Sequence, residues 1–308
     1  MRIRKAVIPI AGLGTRFFPA SHACKKELFP VVGPDGIARA LLHYQIVDLI
    51  DAAIEQICIV VRPGEEQLVT AYFQGPPDSY LKRLEEHPNA AQEAEWMRSA
   101  LDRITFAVQE YQEGYGHAVL QSKAFANSEP ILLCLGDHLF RGHDRPCHSQ
   151  LMDAYEACGG RSVSAVNRIR AEDLKGYGTI AGNRRPAWPD LIDVSLIVEK
   201  PSVELARKEL LVDGLGRDEF LGWFGMHALS PSIYDVLDEM IARNIRQNGE
   251  IQLTCAQELQ RQREGYCALE MRNAKRFDFG SPRDFVRSVI EFAIAQIPDS
   301  GTQEPGRG

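Results

Sequence analysis

Long apolar runs, a surplus of positive charge and closely spaced cysteines are all missing from this chain. No run reaches the roughly 20 apolar residues that cross a membrane, so no membrane partner is expected. The formal net charge is −7, which argues against a nucleic-acid partner. An anionic substrate would therefore need a local basic pocket within an acidic protein.

The cysteines point to a reducing compartment. There are seven, an odd number, and no two have the C-x-x-C spacing of zinc and redox sites. The N-terminus carries basic residues but runs into a strand pattern, with no signal-peptide cleavage site. Free cysteines without a signal predict a cytoplasmic protein.

The apolar pattern that is present predicts an α/β fold. Hydrophobic residues make up 44% of 308 residues and charged residues 25%, as in globular proteins with a sizeable core. Apolar runs at 6–10 and 57–61 indicate buried strands, and helical spacing at 38–53 and 65–73 indicates helices. Strand and helix in alternation predict a sheet with right-handed crossovers.

The remainder of the chain continues this pattern with one interruption. Residues 78–102 are polar and rich in Glu and Ala, which predicts a helical surface insertion or a dimer contact. We expect further strands at 104–108, 131–135, 162–169, 194–198 and 220–229, a Pro-bounded turn at 188–190, and helices at 231–240 and 285–295. Residues 1–296 are predicted to be a single domain, and the polar, Gly-rich tail 297–308 to be disordered.

The first strand leads into a glycine-rich loop that is suited to phosphate. Glycines let backbone N–H groups approach and cradle phosphate oxygens, and Arg16, Lys25 and Lys26 add positive charge nearby. The sequence matches neither the phosphate-loop motif of ATPases nor the glycine fingerprint of dinucleotide-binding folds. The alternative is an ordinary strand-to-helix turn. We predict a nucleoside triphosphate site whose loop consists of Ala11, Gly12, Leu13 and Gly14.

Two later segments carry polar groups suited to a base and to a metal. The Gln109 amide both donates and accepts hydrogen bonds, as uracil does at N3 and O4, and Gly114 lets the backbone approach the base. Asp137 follows an apolar strand, where α/β folds bind ligands and where Mg²⁺ finds a carboxylate; the alternative is a turn cap. His117 is expected to cap a helix rather than act as a general base.

These motifs resemble those of sugar-1-phosphate nucleotidylyltransferases. The run Gly-Leu-Gly-Thr-Arg, followed by Pro19, Lys26-Glu27 and Pro30, is similar to their signature loop, and six motifs occur in order from residue 5 to about 295. GYGHAVL resembles the bacterial uridylyltransferases, whereas LGDHLF also resembles the thymidylyltransferases. The chain departs from the family pattern at Lys25, often proline, at Cys255, usually aspartate, and at Phe279, usually cysteine in uridylyl members.

The resemblance implies a fold and a reaction. The fold is a Rossmann-like, mixed but mostly parallel sheet flanked by helices, with a β-arm on the sugar side. The reaction joins UTP to glucose 1-phosphate, and the sugar phosphate itself attacks to give UDP-glucose and pyrophosphate. The alternatives are a glucose-1-phosphate thymidylyltransferase that uses dTTP and a non-catalytic regulatory subunit that binds nucleotide or sugar.

The resemblance also assigns roles to residues. Arg16, Lys26 and Lys200 are catalytic, the first two on the triphosphate and Lys200 on the sugar phosphate. Tyr177, Gly178 and Glu199 join Lys200 in binding the sugar phosphate. Asp137 and Asp278 hold Mg²⁺. A homo-oligomer, dimer or tetramer, is expected because closed symmetric assemblies are common.

Overall fold

The computed structural model describes residues 2–84 and 89–294. The predicted disordered tail at 297–308 lies outside these ranges. The strands are β1 Lys5–Pro9, β2 Pro30–Val32, β3 Ala38–Ala40, β4 Gln56–Val61, β5 Ile104–Val108, β6 Ile131–Cys134, β7 His138–Gly142, β8 Val163–Arg170, β9 Gly178–Arg185, β10 Trp188–Glu199, β11 Glu219–Leu229, β12 Cys267–Glu270 and β13 Ala274–Asp278.

The helices lie between these strands and after the last one. They are α1 Ala20–Ala23, α2 Leu41–Asp51, α3 Glu66–Gln74, α4 Asp78–Leu81, α5 Ala90–Leu101, α6 Tyr115–Leu120, α7 Lys123–Ala126, α8 Cys147–Ala157, α9 Val203–Glu209, α10 Ser232–Ala242, α11 Leu253–Glu264 and α12 Pro282–Ile294. Short 3₁₀ turns occupy Thr15–Phe17, Lys26–Leu28 and Ala171–Gly176. Over the described ranges, no helix has the length and apolar character needed to cross a membrane.

One mixed sheet of nine strands organises the molecule, in the order β5-β4-β1-β6-β11-β8-β12-β10-β9. Pairing is parallel from β5 to β6 and between β8 and β12. It is antiparallel around β11 and between β10 and its neighbours. The mixed sheet is as predicted, but "mostly parallel" describes only one half of it. The segments predicted to form a β-arm are β9 and β10, a hairpin at the sheet edge that also pairs with β11.

Helices cover both faces of this sheet because apolar side chains alternate along its strands. On β1, Ala6 and Ile8 face one core and Val7 faces the other. The first core contains residues of α2, α3, α5 and α8, and the second contains residues of α6, α10 and α11. The result is a three-layer α/β/α arrangement with both cores fully buried.

Strand pairing changes two of the helix and turn boundaries that the sequence predicts. Residues 38–40 form β3 rather than the start of a helix, because they pair with β2 in a hairpin. The turn expected at 188–190 is wrong, since Trp188 already pairs with Arg185 as the first residue of β10. The 78–102 segment does contain helices, α4 and α5, and Glu93 of α5 pairs with Arg39.

A buried histidine near the middle of the sheet makes stability depend on pH. His227 lies on β11, 4% exposed, with Nδ1 2.6 Å from Ser164 Oγ and 3.0 Å from Gln257 Nε2. Burial lowers the pKa of His227 from 6.5 to about 3. Between these values the unfolded chain takes up a proton at this residue and the folded chain does not.

Acidification should therefore destabilise the fold through His227. The free energy of unfolding should fall by about 1.4 kcal/mol per pH unit for this group as the pH drops from 6.5 towards 4. Urea unfolding at several pH values measures the slope. His227→Asn should flatten it, whereas His22→Asn, at an exposed histidine, should leave it unchanged; equal slopes in all three proteins would contradict the assignment.

Candidate active site

Three strands end at the same edge of the sheet, and the central residues of the candidate site follow them. The glycine loop follows β1, Gln109 follows β5 and Asp137 follows β6, and all three strands run parallel. Their carboxyl ends therefore lie together, as at ligand sites of other α/β sheets. Gly136 tightens this edge, because a side chain there would collide with Ile10 at the end of β1.

The glycine loop borders a cavity of about 330 Å³. Gly14 has a left-handed backbone, φ 65°, which glycine adopts readily, and it precedes the 3₁₀ turn of Thr15–Phe17. The cavity is lined by the loop, by the segment around Gln109 and by one later residue: Pro9, Ala11, Gly12, Leu13, Thr15, Gln109, Gln112, Gly114, Tyr115, Ala118 and Glu250. All of the predicted nucleotide-binding residues except Gly14 thus line one space.

Gln109 lines this cavity and is held in place by two contacts. Its Nε2 donates to Gly114 O at 3.3 Å and lies 3.0 Å from His117 Nδ1. Gly114 has φ 114°, and a Cβ there would lie 2.7 Å from Ile251 O, so both conformation and packing require glycine. The prediction that His117 caps a helix is wrong: Gly114 is the N-cap of α6, and the His117 ring faces Gln109 instead.

The two adjacent lysines of the loop have different partners. Lys26 Nζ lies 2.5 Å from Asp137 Oδ2 and 3.6 Å from Glu27 Oε1. Burial works to lower the pKa of Lys26, but the charges of Asp137 and Glu27 outweigh it and raise that pKa. Lys25 Nζ is instead buried against Glu65 Oε2 at 2.6 Å. The geometry therefore supports Lys26, rather than Lys25, as the lysine of the site.

A histidine links the two candidate metal-binding carboxylates. His138 Nδ1 lies 2.9 Å from Asp137 Oδ1, and His138 Nε2 lies 3.4 Å from Asp278 Oδ2. The Nδ1 approach is off the hydrogen-bonding direction, so it acts mainly through charge. Burial alone would raise the pKa of Asp137, but His138 and Lys26 hold it far below its usual range. Asp137 is therefore an anion at neutral pH.

The carboxylates of Asp137 and Asp278 border the same small space. A Cβ built on Gly280 would lie 2.9 Å from Asp137 Oδ2 and 3.0 Å from Asp278 Oδ1. Strand β13 reaches this place by pairing with β7, with Asp278 opposite His138. Across the described residues, no cluster of three or more His, Cys, Asp or Glu is placed to hold a metal. Two carboxylates would suit a hard cation that takes its other ligands from water and phosphate.

Arg16 joins the glycine loop to the carboxylate side. Its Nη1 lies 3.5 Å from Gly280 O, at the long limit of a hydrogen bond. The guanidinium thus lies beside the segment that carries Asp278. Loop, Lys26, Asp137 and Asp278 consequently form one continuous group of charges.

The predicted sugar-phosphate residues come together on the β9–β10 hairpin. Gly178 pairs with Glu199, and Lys200 N donates to Tyr177 O at 3.2 Å. Glu199 Oε2 accepts from Thr254 Oγ1 at 2.7 Å, which fixes the carboxylate. Lys200 has a left-handed backbone, φ 46°, that is costly for a residue with a side chain. Its side chain is half exposed, and its Nζ lies 3.5 Å from Glu199 Oε1.

Arg276 is part of this region and was missed by the sequence reasoning. Its Nη2 donates to Tyr177 OH at 2.5 Å, and its Nη1 donates to Trp223 O at 3.1 Å. The guanidinium also lies 4.7 Å from the centre of the Tyr177 ring. Arg276 and Asp278 are two residues apart on β13 and so share one side of the strand. That spacing, once β13 is known to be a strand, is the signal that could have found it.

A base-sized cavity beside a phosphate-type loop, at the carboxyl edge of a parallel half-sheet, is typical of nucleotide-binding α/β enzymes. The chain belongs to the nucleotidyl transferase family, whose model matches residues 5–292. The family resemblance found in the sequence is thereby confirmed.

Named relatives are similar in sequence to this protein over nearly its whole length. It is 29% identical over 294 residues to UTP–glucose-1-phosphate uridylyltransferase 1 of Staphylococcus saprophyticus, spanning 96% of this chain and 94% of that protein. The UTP–glucose-1-phosphate uridylyltransferase of Staphylococcus epidermidis is 30% identical over 295 residues, 95% of this chain and 93% of that protein. A crystal structure of UDP-glucose pyrophosphorylase complexed with UDP-glucose matches with a TM-score of 0.76 at 26% identity, covering 96% of this chain and 100% of that one.

The two lysines should behave differently when their charge is removed. Lys26→Met should lower kcat/KM about 10²–10³-fold, the scale of losing one electrostatic stabiliser, and leave the fold intact. Lys25→Met should keep most activity but lower the free energy of unfolding by about 1–2 kcal/mol, because Glu65 loses one buried partner and keeps Arg62. Steady-state kinetics and urea unfolding of both variants separate the roles, and the reverse pattern would contradict them.

Gly280→Ala should disturb the two carboxylates directly. The new methyl group would press on Asp137 and Asp278, so we expect activity to fall at least about 100-fold while unfolding changes by about 1 kcal/mol. Gly176→Ala is the matched control, since a Cβ there meets nothing within 4 Å. Full activity in Gly280→Ala would show that the space between the carboxylates is not used.

Proposed function

We propose that this nucleotidyl transferase is a UTP–glucose-1-phosphate uridylyltransferase, which converts UTP and glucose 1-phosphate into UDP-glucose and pyrophosphate. The observation that carries the proposal is the cavity itself. Gln109 and the glycine loop line it, and the Lys26–Asp137 pair lies at the same sheet edge. The uridylyltransferases that match nearly the whole chain support the same reaction.

The reaction needs no side-chain nucleophile. A phosphate oxygen of the sugar phosphate attacks the α-phosphorus of UTP, a new P–O bond forms, and the bond to the pyrophosphate oxygen breaks. The departing pyrophosphate keeps that electron pair. What the protein must supply is alignment of the two anions and compensation of their charge.

Cations on separate elements meet these two needs. Arg16 and Lys26 lie on the segment between β1 and β2 and would face the triphosphate, where negative charge grows as pyrophosphate departs. Lys200, at the end of β10, would hold the sugar phosphate on the opposite side of the reacting phosphorus. In the free protein Lys26 is held by Asp137, so it is already oriented before substrate arrives.

Asp137 and Asp278 would hold a divalent cation, which we take to be Mg²⁺. Their oxygens border one space, and a third protein ligand is not needed by an ion that shares phosphate oxygens and keeps its waters. When bound, Mg²⁺ supplies positive charge at the phosphates.

The sugar would lie against the β9–β10 hairpin. Glu199 can accept two sugar hydroxyls, and Thr254 fixes one of its oxygens in the correct orientation. A side chain at Gly178 would collide with Trp223, so this strand passes close to the pocket wall. Tyr177, held by Arg276, completes that wall.

A thymidylyltransferase remains a second candidate because of the LGDHLF segment and because thymine presents the same N3 and O4 groups to Gln109. A non-catalytic regulatory subunit is disfavoured, since the loop cations and both carboxylates are all present. The single domain at 1–296, the dimer or tetramer and the cytoplasmic location stay predictions.

A panel of UTP, dTTP, CTP and ATP against three sugar 1-phosphates, with pyrophosphate release as the readout, tests the proposal. UTP with glucose 1-phosphate should give the highest kcat/KM, and removal of divalent cations with EDTA should abolish turnover. Asp137→Ala should lower the rate at least about 10³-fold, whereas Asp144→Ala, in a loop outside the site, should not. A dTTP preference would favour the thymidylyl reaction, and turnover that survives Asp137→Ala and Lys26→Ala would contradict the site.

A further inference from the structure

The side chain of His117 is placed to decide which way the Gln109 amide points. Gln109 is 3% exposed, and its Nε2 faces two groups, Gly114 O at 3.3 Å and His117 Nδ1 at 3.0 Å. A carbonyl oxygen only accepts hydrogen bonds, so the amide atom opposite Gly114 O must be the nitrogen. That assignment makes His117 Nδ1 an acceptor and places the ring proton on Nε2.

The second ring nitrogen of His117, Nε2, lies next to a side chain that is less constrained. Gln121 Nε2 lies 3.2 Å from His117 Nε2 and 3.1 Å from His117 O, one turn further along α6. A neutral ring accepts at one nitrogen only, so it cannot accept from both amides. The buried Gln109 amide is enclosed, whereas Gln121 is partly exposed and can rotate. The ring therefore serves Gln109.

With its nitrogen held by two acceptors, Gln109 must turn its oxygen the other way. Among the described residues, none donates a hydrogen bond to Oε1, and Gln109 lines the nucleotide cavity. The amide therefore presents an acceptor to the base. Uracil offers a hydrogen-bond donor at N3, whereas cytosine offers an acceptor at the same position. Uracil N3–H can therefore donate to this oxygen, and cytosine N3 cannot.

We propose that His117 is the positioning residue for base selection: by accepting from Gln109, it locks the amide with its oxygen towards the base and so favours uracil over cytosine. This inference rests on the proposed uridylyl transfer and names what sets its choice of nucleotide. His117 itself need not touch substrate. Its loss would leave only the longer bond to Gly114 O to hold the amide. The flipped amide, which presents a donor that cytosine N3 can accept, would then be populated more often.

His117→Leu removes the acceptor and tests the inference through the ratio of kcat/KM for UTP to that for CTP. The ratio should fall at least about tenfold, mainly through a higher KM for UTP, while kcat at saturating UTP changes less than about threefold. His117→Asn, whose side-chain oxygen can replace Nδ1, should restore the ratio to within about threefold of the wild type. His117→Phe provides a second variant without an acceptor if His117→Leu does not fold.

Two comparisons separate positioning from general damage to the helix. Gln121→Leu, at the other ring nitrogen, should leave the ratio unchanged. In a Gln109→Ala background His117→Leu should have no further effect on the ratio, because there is no amide left to orient. An unchanged ratio in both acceptor-free variants, an equal fall in Gln121→Leu, or an additive effect with Gln109→Ala would each overturn the inference. If the wild type does not transfer from UTP, the proposed function fails; if it does, and the ratio does not respond, only this inference fails.

Discussion

The contact between the Lys26 ammonium and the Asp137 carboxylate is the interaction on which the site depends. It joins the loop after β1 to the loop after β6, and the parallel pairing of those strands sets the distance that the two side chains must span. Gly136 permits the close approach of the two loops. Because His138 also faces Asp137, the pKa of this carboxyl stays low despite burial, and the aspartate is charged when a cation or a triphosphate arrives.

An acidic protein that handles two anionic substrates must place its few useful cations with care. Arg16 and Lys26 come from the segment between β1 and β2, and Lys200 comes from the residue after β10. The left-handed backbone of Lys200 and the buried pairing of Lys25 with Glu65 show how differently neighbouring residues are used. Lys25 supports the loop, and this leaves Lys26 for the site.

Local motifs predicted much of the site. The glycine loop, Gln109 with Gly114, and Asp137 after Gly136 all lie in short segments, so these candidate residues could be named without a structure. Arg276 and His138 could not be found in this way, because their partners Tyr177 and Asp278 are reached only through the β13–β7 pairing. The extent of antiparallel pairing in the predicted mixed sheet was underestimated for the same reason: apolar runs predict strands but not the direction of their neighbours.

The helical insertion shows the same limit. Its polar pattern predicted a surface helix, but the pairing of Glu93 with Arg39 depends on how α5 lies against β3. His117 is a further example, since a histidine early in a helix suggested a cap, whereas the fold turns the ring towards Gln109. In each case the local conformation followed from the sequence and the contact followed from the topology.

The central claim is that aligned charges alone bring one phosphate to attack another, without a covalent enzyme intermediate. The most direct measurement is the configuration at the α-phosphorus of the product when one diastereomer of UTP carrying sulfur at that phosphorus is the substrate. A single in-line displacement predicts inversion, read by ³¹P NMR of the thio-substituted UDP-glucose. Retention would require two successive displacements, and hence a nucleophilic side chain that this account does not contain.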